Sequence, residues 1–312
     1  MSNASLARAA PSQSGRRRMG RQRMGWQPMA AWATLVALIL ITLLPFYWML
    51  RISLSDNQTL AAHAGSLVPP DFTLGAFKRV LGIATVEEAT AQGGSGARIN
   101  FWRYLLNSVI TSAVITVCQV FFSAMAAYAF ARLRWPGREK VFFVFLTALM
   151  IPPIFTALPN FITVKQLGLL NTYAGIVLPY LFMTPFAIFF LRQFFLNISR
   201  EVEEAAIVDG AGHARLFFRV IVPMSSAPIA TISLLVYIGA WNEYFWPLLV
   251  GQEDGVRVLT VALGIFRSQT PQAGPDWAGL MAAALLAALP VIALFSIFGR
   301  WIVNSIQFSG IR

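Results

Sequence analysis

Six stretches of the chain contain no Asp, Glu, Lys or Arg: residues 24–50, 104–131, 141–164, 166–191, 220–242 and 277–299, each at least 23 residues long. A helix rises about 1.5 Å per residue and the hydrocarbon core of a bilayer is about 30 Å thick, so roughly 20 residues suffice to cross it. Backbone amides find no partner in lipid, and the strict polar/apolar alternation of a membrane strand is missing, so the spans must be helices. The sequence therefore predicts an all-α integral membrane bundle of six spans at about 28–50, 104–131, 141–164, 171–191, 222–249 and 277–299. The first is too long for the roughly 7–15-residue core of a signal peptide, and no small-x-small cleavage site follows Leu50.

Composition agrees. The chain is 57% hydrophobic and 12% charged, against about 45–50% and about 25% in an ordinary soluble domain, which argues against both a soluble globule and a disordered chain. A net charge of +11 raises nucleic acid as a partner, but the placement of the charge gives a different reading. With the N-terminus inside, the cytosolic segments hold 16 of the 24 basic residues, including Arg132, Arg134, Arg138 and Lys140 in one short loop, and five of the 13 acids. The outer segments hold eight of each, so the whole surplus lies inside, as the positive-inside rule requires. Both termini are expected in the cytosol, with residues 1–23 a disordered basic tail meeting anionic head groups and 24–312 the membrane domain. The single cysteine, Cys118, rules out an internal disulfide framework, and two distant histidines, His63 and His213, make a metal site improbable.

The polar segment 199–223 carries the most information. Ser199 fits a helix cap, Glu201, Glu203 and Glu204 suit the positive end of a helix, and Asp209-Gly210 provide a left-handed stop. A second helix resumes at His213 and runs to Pro223. Such a knob suits a docking cleft on another protein; the alternative is an amphipathic linker lying on head groups, which would favour Lys and Arg over four interleaved acids.

Glu204-Ala205-Ala206, three residues, Gly210, nine residues and Val220-Ile221-Val222-Pro223 resemble the EAA loop of bacterial ABC importer permeases, with Val at the Ile and Leu positions of that pattern. Leu106-Asn107-Ser108, Ala127 to Arg132 with Pro136-Gly137-Arg138, Met150-Ile151-Pro152, Leu167 to Thr172, Leu191 to Phe195 and Trp241 to Leu248 are similar to the carbohydrate-importer branch, in the manner of the second permease of the maltose system. The 82–100 stretch looks like an insertion, and the tail Gln307 to Arg312 is shorter and less glycine-rich than the maltose type.

The resemblance implies a type I importer permease forming half of a sugar pathway. Its partners would be a second homologous permease, two cytosolic ABC ATPases and an extracytoplasmic solute-binding protein. Glu203, Glu204, Ala205, Ala206, Asp209 and Gly210 would meet the ATPase. No G-x-x-x-x-G-K-[ST] occurs in the sequence, so ATP and its Mg are expected on the partner ATPases, and the chain itself is expected to hold no cofactor and catalyse nothing. A self-contained secondary transporter or channel is the alternative, but it predicts ionisable residues buried mid-span, and none of the six stretches has one.

Candidate pathway residues lie in or near the spans. Trp241, Asn242, Glu243 and Tyr244 offer stacking and hydrogen bonding to a polyhydroxylated solute, or form an interfacial belt with Glu243 at the water boundary. Asn107, Asn160 and Tyr180 fit either ligand contact or helix–helix hydrogen bonding. Pro152-Pro153 and Pro159 are expected to break the third span, either to line a cavity or as kinks in a packed bundle.

Overall fold

A computed structural model of the protein describes residues 26–94, 99–268 and 275–307. The basic tail 1–23, part of the 82–100 insertion and the last five residues lie outside the described residues. The chain divides into two compact units, the first ending at Trp48 and the second beginning at Met49.

The described residues of the first unit belong to helix α1 (Trp26–Ser53). Its apolar side chains from Met29 to Phe46 are exposed around the whole circumference, the pattern of a helix whose solvent is hydrocarbon. The second unit opens with a polar segment carrying two short helices, α2 (Gly75–Val80) and α3 (Val86–Ala91). The inserted helix α3 starts with a complete capping box, Thr85 and Glu88 each accepting from the other's backbone amide. Asn57 donates to the carbonyls of Gly93 and Pro275, and Arg79 makes a two-pronged ion pair with Asp276 at 2.9 and 3.1 Å. Arg79 also donates to the Gln92 side chain at 3.0 Å, so the insertion is fastened to the start of the last helix through Asn57 and Arg79.

Helix α4 (Phe101–Arg132) is the longest element and the axis of this unit. One end packs against α8 (Pro185–Leu196), and α12 (Ser226–Asn242) also lies along it. Ala124, Ala127, Ala131, Ile188, Leu191 and Phe195 are buried there, small residues on α4 admitting the larger ones of α8. Between these lie α5 (Arg138–Ala148), α6 (Pro153–Gln166), α7 (Tyr173–Val177, continued by a tight turn to Tyr180), α9 (Arg200–Val208), α10 (His213–Leu216) and α11 (Val222–Met224). The chain closes with α13 (Phe245–Val250), α14 (Leu259–Ser268) and α15 (Trp277–Gln307).

Three helices, α1, α4 and α15, are long and apolar enough to cross a bilayer unbroken. The other three expected spans are bent pairs: α5 with α6 at 94°, α7 with α8 at 50°, and the His213–Met224 segment with α12 at 81°. Each break has a local cause. Pro152 is extended and precedes Pro153, which cannot continue α5 but starts α6 well, as proline does in a first turn. Pro159, expected to add to that break, instead sits inside α6. Thr184 caps α8 by accepting from the Ala187 amide at 3.2 Å, with Pro185 in the first turn. The last pair turns at Ser225, which leaves helical geometry at φ −105° and ψ +21°; just upstream Pro223 would collide with the carbonyl of Arg219, and the chain widens into a π-helical turn over Phe217–Ile221. The expected fifth span, 222–249, is likewise interrupted: α12 ends at Asn242 and α13 starts at Phe245.

Candidate functional site

Ser108, Thr111, Ile115 and Gln119 recur at three- and four-residue steps, so α4 presents them on one face. They line a cavity of about 280 Å³ together with Tyr180, Thr184, Trp241 and Glu243 from the breaks after α7 and α12. The three polar side chains of α4 that line the cavity are each anchored. Ser108 accepts from the Leu259 amide at 2.8 Å, Thr111 donates to the Asn107 carbonyl at 2.8 Å, and Gln119 donates to the Tyr180 carbonyl at 3.0 Å. The last bond occupies a carbonyl that the interrupted helix leaves without an intrahelical partner. Glu243 is the one carboxylate in the lining, and no Lys or Arg is among the lining residues. One Glu243 oxygen accepts from the Trp246 amide at 3.1 Å, and its carbonyl accepts from Thr260 at 2.8 Å.

The structure divides the candidate pathway residues. Tyr180, Trp241 and Glu243 line the cavity. Asn242 and Tyr244 are exposed and point elsewhere, because the chain is extended at Glu243 and successive side chains alternate. Asn107 lies a turn away from the cavity: it donates to the carbonyls of Gly255 and Arg257 and accepts from Tyr173 at 2.6 Å. Asn160, half-buried on α6, is outside the cavity lining. Ser108, Thr111, Gln119 and Thr184 were not singled out from the sequence. The polar stripe at helical period within an uncharged span was the signal that could have found them.

At the other end of α4 sits the knob. Ser199 accepts from the Glu201 amide at 3.3 Å, α9 follows, and Gly210 adopts φ +79°. The Gly210 amide donates to Ile207 and the Ala211 amide to Ala206, both at 2.9 Å, the paired bonds of a Schellman stop. No residue of α9 is buried. Glu204, Ala205 and Asp209 are exposed, Ala206 is half-buried, and Val208 is 87% exposed. Glu203 differs from its neighbours: it is half-buried and ion-paired with Arg132 at 2.8 Å, so it serves the knob's own attachment.

Among the described residues, no three His, Cys, Asp or Glu side chains gather in a metal-holding group. A helical bundle with broken spans, a mainly apolar cavity edged by hydroxyls, an amide and one carboxylate, and an exposed knob fit a membrane transport subunit. Residues 119–307 match the family of the binding-protein-dependent transport system inner membrane component, and the chain belongs to that family. It is 34% identical to the diacetylchitobiose uptake system permease protein NgcG of Streptomyces coelicolor over 67% of this chain and 69% of that one. With the trehalose/maltose transport system permease protein MalG of Thermococcus litoralis it shares 28% identity over 89% of this chain and 94% of that one. A crystal structure of a bacterial ABC transporter that imports the acidic polysaccharide alginate contains the same fold, with a TM-score of 0.73 at 23% identity, over 88% of this chain and 95% of that one. The chain is a permease, a non-catalytic inner-membrane subunit of a binding-protein-dependent importer.

Proposed function

We propose that this permease forms half of the pathway of an ATP-driven importer for a neutral sugar, a disaccharide, oligosaccharide or polyol. The observation that carries the reading is that one helix, α4, lines the cavity with Ser108, Thr111 and Gln119 and ends at Arg132 against the knob. A cavity of about 280 Å³ lies just below the roughly 300–1,000 Å³ of complete ligand sites, as suits a wall shared with a second homologous permease. Hydroxyls, an amide and an indole recognise sugar hydroxyls and ring faces, and a lining without Lys or Arg suits an uncharged solute. The names of the relatives NgcG and MalG, which refer to diacetylchitobiose and to trehalose/maltose, support the sugar class.

Both termini and the knob lie in the cytosol, and a solute-binding protein delivers from the opposite side. Two ATPase subunits hold ATP and its Mg, and one docks on Glu204, Ala205, Ala206, Asp209 and Gly210. Closure of the ATPase pair moves the knobs and turns the cavity from inward- to outward-facing, a two-state element biased by nucleotide. Co-expression with the second permease, the ATPase and the solute-binding protein tests this. The complex should co-purify and drive ATP-dependent uptake of radiolabelled disaccharide into vesicles. Glu204→Arg and Gly210→Pro should abolish uptake while membrane insertion persists; unchanged uptake in both would remove the docking role.

A further inference from the structure

The geometry points to Arg132 as the positioning residue that makes the knob helix α9 and the cavity helix α4 one rigid body. This rests on the importer reading and deepens it. Arg132 is the last residue of α4, and its side chain is 6% exposed. Its Nε lies 2.8 Å from the Glu203 carboxylate on α9, and its Nη2 donates to the carbonyls of Phe195 and Ile198 at the end of α8. Those carbonyls belong to the C-terminal turn, where intrahelical donors run out and the dipole favours a cation. One guanidinium thus holds two carbonyls by hydrogen bonds and the Glu203 carboxylate by charge, a spread that a single ammonium point charge cannot reproduce.

The contact is answered from the other side. Arg192 of α8 donates to the Phe130 carbonyl of α4 at 3.3 Å and makes two 3.0 Å bonds to Glu139 in the first turn of α5. The two arginines thus exchange carbonyls between α4 and α8, and each reaches a carboxylate on a third helix. Helix α9 has no buried residue, so apolar packing holds it weakly and the Arg132–Glu203 pair sets its orientation. A displacement of α9 must therefore pass into α4, which carries Ser108, Thr111 and Gln119 on the cavity wall.

The test uses the full chain assembled with its ATPase in nanodiscs, with Cys118→Ser and spin labels at Glu201→Cys on α9 and Met125→Cys on α4, both exposed. With Arg132 and Glu203 intact, the label distance should form one narrow peak that stays in place when Mg-ATP and vanadate are added. Arg132→Gln and Glu203→Gln should each lose that peak and let the distance change with nucleotide, while Arg132→Lys should restore it in part. The Glu203 variant leaves the α4–α8 carbonyl bonds intact and covers the case in which Arg132→Gln misfolds. A distance that moves with nucleotide in the intact pair, or a peak that stays narrow and fixed in both Gln variants, would overturn the proposal. Failure of the ATPase to co-purify would instead overturn the importer reading, and the peak width of the permease alone would still decide the role of Arg132.

Discussion

Removing the Asn107 amide leaves the Arg257 carbonyl without its side-chain donor, and leaves the Gly255 carbonyl and the Tyr173 hydroxyl only their long 3.4 Å contact with each other. An unmade buried hydrogen bond costs about 1–3 kcal/mol, so Asn107→Ala should lower the melting temperature of the purified permease and leave solute preference unchanged. Gln119→Leu is its counterpart inside the cavity. It should raise the KM for uptake by about tenfold, the equivalent of about 1.4 kcal/mol, through a changed lining and an unsatisfied Tyr180 carbonyl. Gly210→Ala forces a Cβ into the left-handed region, at about 1–2 kcal/mol, and should reduce ATPase co-purification. At this scale the sequence was an uneven guide. The Gly210 turn was legible because only glycine takes that conformation freely. The separate fates of Trp241, Asn242, Glu243 and Tyr244 were not, because they depend on an extended residue between two helices.

The elements were legible as apolar stretches, but their interruptions were only partly so. Pro152-Pro153 announced the break between α5 and α6, whereas the break before Thr184 is stabilised by a long-range bond, Thr184 donating its amide to Ser123 on α4 at 3.1 Å. Asn171 likewise takes φ +56° because its side chain accepts from the amides of Gln252 and Glu253, contacts more than 80 residues away along the chain. The tie of the inserted helix α3 to α15, through Gln92, Arg79 and Asp276, did not show in the sequence. The Arg79 and Asp276 side chains are both 5% exposed or less. Breaking such a pair from one side costs about 3–5 kcal/mol, so Asp276→Asn should expose the 82–100 segment to protease well before the rest of the chain is cut.

Across the whole molecule the charge distribution argues for one orientation. Cysteines at Arg134 and Lys140 should react with an impermeant maleimide only from the cytosolic face, and one at exposed Ala62 only from the opposite face. The right-angled junction of α5 and α6 also bears on how the chain enters the membrane. With 11 and 14 residues, these helices are about 16 and 21 Å long, and neither alone reaches across about 30 Å of hydrocarbon. During synthesis the 141–164 segment must therefore be accepted by the insertion machinery as one continuous apolar stretch. Its elbow is set locally by Pro152-Pro153, and α8 and α13, which pack on α5 and α6, hold the two arms once they are in the bilayer.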